Sequence, residues 1–441
     1  MNEKDKNRPI THLALYLTEN CNLACEYCFA AGHGKEDLPW ERAKKAVDML
    51  FRFAGDEKRV SITFWGGEPF LRFGMMRRVV EYGEDRAAAL GKTIRFSAPT
   101  NATLLRPKSL DFCLEHEIAL SLSLDGAEGS QGLRPLASGG SSFPLVRKVL
   151  PLIRERLGRE AAIRMTCSAE RASHFFEDVQ FFLEQGFREI RFYPAFEGDW
   201  TAERVDAYRR QMEKLADHYR GFFRQGKREE IPRFRAFDDV FRRFLLREKG
   251  RSGDPEVEEN LRRSYCGAGK TTICLSVSGD LFPCHRFVFY DREKKFYRLG
   301  NLTEGITEPE RRREFQDIDI ARGTSGGMSC TECDLWGICT YFCVAHNYDF
   351  SGDIYGIHPN VCRLIRILHG VCRGLYDDLK ENEIFLQYMR YRLSRGRGRL
   401  SERLLGSLFE GTWEEMVDTV AERAWRYLEG EDERCPPTRP S

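Results

Sequence analysis

Charge of one sign is what this sequence lacks most plainly: 69 lysines and arginines stand against 68 aspartates and glutamates, a formal net charge of +1. Phosphate backbones are bound through a cationic excess, so the balance argues against a nucleic-acid partner. No apolar run is long enough to cross a bilayer, which argues against a membrane partner. Residues 1–8 are polar and lead straight into the apolar stretch from Leu13 to Leu17. Without the basic, apolar and small-residue triplet of an export signal, the expected location is the cytoplasm.

What is present is a 441-residue chain with 41% hydrophobic and 31% charged residues. That balance suits a globular protein, and the length suits two or three units. Fifteen cysteines are the anomaly. In a long chain without an export signal, clustered thiols point to metal or cluster ligation rather than disulfides. Three lie between Cys21 and Cys28, and eight between Cys266 and Cys362. Cys113 and Cys167 stand apart and read as buried thiols, and Cys435 as incidental.

In the first half, strand-like segments alternate with amphipathic ones. Leu13–Leu17, Val60–Trp65, Thr93–Ser97, Ile118–Leu122, Ala162–Thr166 and Glu189–Tyr193 read as strands. Trp40–Phe53, Arg72–Leu90, Pro107–His116, Phe143–Leu157 and Ala172–Gln185 read as helices. Six such units predict an α/β fold, a partial (β/α)6 TIM-like barrel with functional loops at the carboxyl ends of the strands. From Ala202 to Lys249 a charged, helical connector is expected, with Phe237, Phe241 and Phe244 as a packed stripe and a break at Gly250–Gly253. The region from Cys266 to Cys362 reads as irregular and rich in turns. Leu364–Leu379, Phe385–Tyr391 and Trp413–Tyr427 read as C-terminal helices, and the basic run Arg395–Arg399 as a solvated loop.

Cys21-Asn-Leu-Ala-Cys25-Glu-Tyr-Cys28 places three thiols on a short loop after the first strand. Three thiolates hold three irons of a four-iron cube and leave the fourth open to a small molecule. A zinc site would need a fourth ligand or a water. This spacing, Cys-X3-Cys-X2-Cys, resembles the hallmark of the radical S-adenosylmethionine superfamily. Gly66-Gly67-Glu68-Pro69 follows the second strand as that family's Gly-Gly-Glu-Pro motif does. The resemblance implies that this turn offers backbone groups and the Glu68 carboxylate to the methionine amine of the cosubstrate. It also implies that Tyr27 packs near the adenine and that Asn101 ends the third strand beside the cosubstrate, although Ala102 replaces the usual glycine. Ser123, in Ser121-Leu-Ser-Leu-Asp-Gly126, and Arg164 would then contact the cosubstrate carboxylate. Both also suit a supporting structural role.

Cys266, Gly279, Cys284, the run Cys330-X2-Cys333-X5-Cys339-X3-Cys343, and Cys362 resemble the SPASM extension of radical enzymes, which carries auxiliary clusters. The resemblance implies one auxiliary cube on Cys266, Cys274, Cys284 and Cys330, and another on Cys333, Cys339, Cys343 and Cys362, three [4Fe-4S] clusters in all. Cys274 is the weakest of these ligands, since some relatives leave that iron open. A pair of zinc ions is the plainer alternative for eight thiols. The expected divisions are an arm at 1–10, the radical barrel at 11–200, a connector at 201–260, the SPASM domain at 261–365 and a helical region at 366–441.

S-adenosylmethionine and three clusters imply hydrogen abstraction followed by a net two-electron oxidation, fed by an external one-electron donor such as a flavodoxin or ferredoxin. Two outcomes compete: an aldehyde on a cysteine or serine, as in anaerobic sulfatase-maturating enzymes, or a thioether or other crosslink in a ribosomally made peptide. Those maturases carry an aspartate base after the third cysteine of the first auxiliary group. Here Cys284 precedes His285-Arg286-Phe287, which is more like thioether-forming maturases and favours the crosslink. His285 reads either as a proton acceptor or as a hydrogen bonder beside the cluster. The expected partner is a peptide or protein, small-molecule oxidation being the alternative. With only twenty residues before Cys21, leader recognition would fall to the C-terminal helices or a separate leader-binding protein, or be unnecessary.

Overall fold

Leu13 to Thr18 are all buried, a run without polar alternation that fits a strand covered on both faces. This strand, β1 (His12–Thr18), starts a parallel series with β2 (Arg59–Gly66), β3 (Thr93–Thr100), β4 (Ala119–Ser123), β5 (Ala162–Cys167) and β6 (Glu189–Pro194). Helices Trp40–Ala54, Phe73–Ala89, Pro107–Glu115, Phe143–Leu157 and Phe175–Glu184 fill the crossovers. The computed structural model describes residues 8–409 except 32–33, 227–229, 252, 263–265, 292 and 396–399. The expected helix at 413–427, most of the basic run and Cys435 lie outside the described residues.

The partial barrel is therefore present, with a polar interior. His12 bonds Ser61 at 2.7 Å and Thr63 at 3.2 Å, and Thr63 bonds Ser97 at 2.8 Å, a chain across β1, β2 and β3. β7 (Arg233–Phe234) extends the sheet beyond β6.

On the other side the sheet continues where no strands were expected. β8 (Thr272–Leu275) runs parallel to β1, followed by antiparallel β9 (Asp280–Phe282), β10 (Gly300–Asn301) and β11 (Gly305–Ile306). The cysteine-rich region thus begins inside the barrel sheet, whose order is β11-β10-β9-β8-β1-β2-β3-β4-β5-β6-β7. Strands of two to four residues are too short to show a period in sequence.

The charged connector forms helices Ala202–Gln225 and Arg235–Lys249. Phe237, Phe241 and Phe244 are buried as expected, with Phe241 against Phe385 at 5.2 Å and Phe244 against Tyr376 at 5.4 Å between ring centroids. Helices Pro359–Leu379 and Glu383–Ser394 thereby close over the connector. Among the described residues no helix is long and apolar enough to cross a membrane.

Candidate active site

The loop with Cys21, Cys25 and Cys28 is fastened on two sides. Ala24 N and Glu26 N donate to the carbonyls of Pro135 and Leu133 at 2.9 and 3.0 Å. On the other side Gly67 N donates to Thr18 O at 3.1 Å and Glu68 N to Asn20 O at 2.9 Å. The glycine pair makes this approach possible. A Cβ on Gly67 would overlap Asn20 O and stand 2.8 Å from Cys21 Cβ, while Gly66 has φ +146° and would strike Thr18 O.

Glu68 differs from the expectation of a carboxylate aimed at a ligand. It is buried, and its oxygens accept from Phe70 N at 3.0 Å, Thr100 Oγ1 at 2.9 Å and Asn101 N at 2.8 Å. Burial raises its pKa to about 7 against the pull of those donors. Its carboxylate ties the turn after β2 to the end of β3. Asn101 is likewise inward, donating to Asn22 at 2.9 Å and accepting from Thr103. Ala102 holds φ +64°, in the left-handed region that favours glycine.

Asp125, in the Ser121–Gly126 segment, meets Arg134, a contact that linear spacing does not show. Arg134 Nε and Nη2 donate to the Asp125 carboxylate at 2.8 and 2.9 Å, and the Tyr27 hydroxyl donates to the same carboxylate. Thr166 N donates to it from β5 at 2.9 Å. Gly126, at φ +135°, leaves room for the carboxylate of Asp178, which accepts from Ala127 N at 3.1 Å and from Ser130. Ser123 and Arg164 are register partners on β4 and β5. Arg164 lies 5.7 Å from the Tyr193 ring centre, with no carboxylate at ion-pair distance among the described residues. Burial, together with Arg286 and Arg134, lowers its pKa.

None of the fourteen described cysteines forms a disulfide. The later eight influence one another across the cysteine-rich region. Cys266 has its pKa raised to about 11 by burial and by Cys343, and Cys284 is raised to about 12 by burial, Cys266 and Cys343. Cys330 is raised to about 11 by burial and by Cys339, Cys362 and Cys333. Cys343 thus acts on Cys266 and Cys284, and Cys330 on none of these three. The reason is chain direction: the short helix Val344–Ser351 starts at Cys343 and packs on Phe287–Tyr290, just after Cys284, whereas Cys330 stays with its own turn. Cys274 is buried on β8 and interacts with Cys284. It is also one of the thiols acting on Tyr16, whose pKa is raised by burial, Cys274, Cys284 and Cys28.

His285 stacks on Trp65 at 3.7 Å and 9°, and its carbonyl accepts from Tyr16 at 2.9 Å. Burial, with Arg286, Arg164 and His12, holds its pKa well below the usual imidazole range. Phe29, next to Cys28, meets His285 edge-on at 5.8 Å, and Arg286 lies 4.7 Å from the Phe29 ring centre. A cavity of about 940 Å³ opens beside this junction, lined by Tyr27, Cys28 and Phe29 and by Phe289 and Tyr290.

These residues fit an iron-sulfur cluster and S-adenosylmethionine. The three loop thiols interact electrostatically, and Cys21 is pushed up to about 12 by burial, Glu68 and its two sister thiols, with Leu23 N opposing. A cationic cluster relieves that confinement by binding thiolates. Arg164 offers a buried cation to a carboxylate. No three described His, Cys, Asp or Glu side chains close tightly enough for a single ion, whereas a cube spreads its thiolates over separate irons.

Comparison with known proteins agrees. Residues 15–167 match the radical SAM superfamily. An uncharacterized protein of Methanocaldococcus jannaschii is 35% identical over 131 residues, 30% of this chain and 44% of that protein, so the likeness spans less than half of that relative. A cysteine-type anaerobic sulfatase-maturating enzyme of Clostridium perfringens is 25% identical, covering 86% of this chain and 93% of the relative. Among solved structures, anSMEcpe with bound AdoMet aligns with a TM-score of 0.68 at 19% identity, over 91% of this chain and 98% of that one. Streptococcus suis SuiB bound to precursor peptide SuiA aligns with a TM-score of 0.53 at 18% identity, over 81% and 77%. The barrel, its cysteine loop and the glycine turn all fall on the segment that matches the radical SAM superfamily or at its edge. Residues 15–167 carry the radical SAM superfamily match, the cysteine-rich region after them is SPASM-like, and the chain as a whole is similar to anaerobic sulfatase-maturating enzymes and to SuiB.

Proposed function

We propose that this protein oxidises a peptide or protein side chain by two electrons, converting cysteine or serine to formylglycine in the manner of its sulfatase-maturating relatives. The carrying observation is that the likeness to those enzymes runs through both halves of the chain, which meet around one cavity. This reverses the preference for a crosslink drawn from His285. When bound, the first cluster and S-adenosylmethionine supply an electron and a 5′-deoxyadenosyl radical that removes a hydrogen atom from a substrate carbon.

The chain's own residues orient and exclude. Ser123 and Arg164 would hold the cosubstrate carboxylate, and the Gly66–Pro69 backbone its amine, with Tyr27 at the cavity side. Trp65 fixes the His285 ring, whose neutral imidazole would accept a hydrogen bond from the substrate thiol or hydroxyl and so orient it as the carbon is oxidised. Cys266, Cys274, Cys284 and Cys343 would hold one auxiliary cluster and Cys330, Cys333, Cys339 and Cys362 another, and such clusters would supply a route for the second electron. A flavodoxin- or ferredoxin-like donor supplies the starting electron. Among the described residues Glu26, Glu170, Glu197, Glu293 and Asp349 line the cavity with Lys294 as the one basic side chain, which favours a segment bearing a cationic side chain.

Crosslinking of a ribosomal peptide, with or without a separate leader-binding protein, is the second reading. It is favoured by His285 standing where the sulfatase maturases carry aspartate. Anaerobic reconstitution with reductant, S-adenosylmethionine and cysteine or serine peptides separates the two. An aldehyde trapped by hydrazide labelling is expected. Loss of two hydrogens with an internal bond and no aldehyde would transfer the assignment to crosslinking, and failure to form 5′-deoxyadenosine would sink both.

A further inference from the structure

Arg134 is held more firmly than loop anchoring requires. The flanking carbonyls of Leu133 and Pro135 already bind the cysteine loop through Glu26 N and Ala24 N. Its side chain does something further. Nε and Nη2 form a fork on Asp125, and Nη1, the corner turned away from that fork, lies 3.9 Å from Cys25 Sγ. The guanidinium carbon is 5.2 Å from the Tyr27 ring centre. Asp125 cannot turn away, because Thr166 N and the Tyr27 hydroxyl occupy its oxygens. Arg134 is 7% exposed and Asp125 2%. The result is a buried ion pair fixed in direction, its positive end toward a cluster thiol and its negative end toward the barrel wall.

We propose that Arg134 is a positioning residue for the cluster carried by Cys21, Cys25 and Cys28: it donates from Nη1 to Cys25 Sγ and makes that cluster easier to reduce. The proposal rests on the radical SAM reading of the loop. Reduction adds one electron to a cluster already surrounded by thiolates, and hydrogen bonds to sulfur together with nearby charge set how readily that electron is accepted. A cation facing Cys25 stabilises the reduced form more than the oxidised one. Asp125 opposes this from farther away while preventing the guanidinium from swinging into the cavity. The two charges therefore act on the cluster with opposite sign, although both fasten the same loop.

That opposition supplies the test. The full chain is reconstituted anaerobically, iron and sulfide are measured, and the EPR signal that responds to S-adenosylmethionine is titrated against potential. Arg134→Gln is expected to retain the cluster and lower its midpoint by roughly tenfold in the equilibrium constant, about 59 mV for one electron. Asp125→Asn is expected to raise it, and Arg134→Lys to recover part of the loss. Full iron content with an unchanged midpoint in Arg134→Gln overturns the proposal. If that variant does not load, Asp125→Asn decides: a midpoint that stays or falls overturns it. A merely structural role would lower occupancy in both variants without shifting midpoints in opposite directions. Absence of any S-adenosylmethionine-responsive signal in the wild-type chain would instead defeat the reading of the loop itself.

Discussion

At Gly67 the absence of a side chain decides whether the cysteine loop can close. Added bulk would push on Asn20 O and Cys21 Cβ, and neither is the free end of a flexible side chain. Gly67→Ala is therefore expected to lose the first cluster, about four of twelve irons if all three cubes form, while the auxiliary clusters load normally. Iron analysis and the loss of the S-adenosylmethionine-responsive EPR signal would read this. Gly74→Ala is the control: its Cβ meets nothing within 4 Å, and in an exposed helical turn it should be neutral or stabilising by up to about 1 kcal/mol. Asp178 gives a pH prediction. Burial raises its pKa to about 7 despite hydrogen bonds from Ser130 and Ala127 N and the nearby Arg171. The folded state thus holds a proton that the unfolded chain has released, so this contribution is complete below about pH 4 and disappears as pH rises through 7. At about 1.36 kcal/mol per pKa unit it is on the order of 4 kcal/mol. Thermal unfolding should show a steeper fall in stability between pH 4 and 7 for the wild type than for Asp178→Asn. Parallel curves would contradict the raised value. The glycine turn was legible as a motif, but the direction of the Glu68 carboxylate was not, because two of its donors, Thr100 Oγ1 and Asn101 N, come from the end of β3, far along the chain.

The six barrel strands were legible because each is an apolar or β-branched run bounded by an amphipathic helix, and the observed ends lie within a few residues of the sequence reading. β8 to β11 were not, since Thr272–Leu275 and its successors take their identity from β1 and from one another rather than from a local period. The same cause bears on how the cysteines are grouped. Linear spacing kept Cys343 with Cys333 and Cys339, whereas the helix starting at Cys343 returns it to Cys266 and Cys284. Cys343→Ser should therefore impair the cluster on Cys266, Cys274 and Cys284 and spare the one on Cys333, Cys339 and Cys362. Cys330→Ser should do the reverse. Mössbauer or EPR spectra of the two variants should be complementary, and matching spectra would restore the linear grouping.

Across the whole molecule the charges balance at +1, so an acidic cavity is a local arrangement rather than a consequence of composition. Glu197 is engaged by Arg286 at 3.5 Å and Glu170 by Arg204 at 3.6 Å. Glu26 and Glu293 are exposed at the rim, one from the cysteine loop and one from the segment after the Cys284 loop. Their field therefore comes from both halves of the chain and converges on the opening to the cluster loop. A peptide entering there gains most from a lysine or arginine near the residue to be oxidised. Each exposed pair is worth up to about 1 kcal/mol and is weakened by salt. Glu26→Gln combined with Glu293→Gln should lower kcat/KM for a cationic peptide by roughly fivefold, about 1 kcal/mol in total. The loss should fall mainly on KM, shrink as ionic strength rises, and leave a neutral analogue of the peptide nearly unaffected. Equal losses for the cationic and neutral peptides would show that the two carboxylates shape the opening rather than select its occupant by charge.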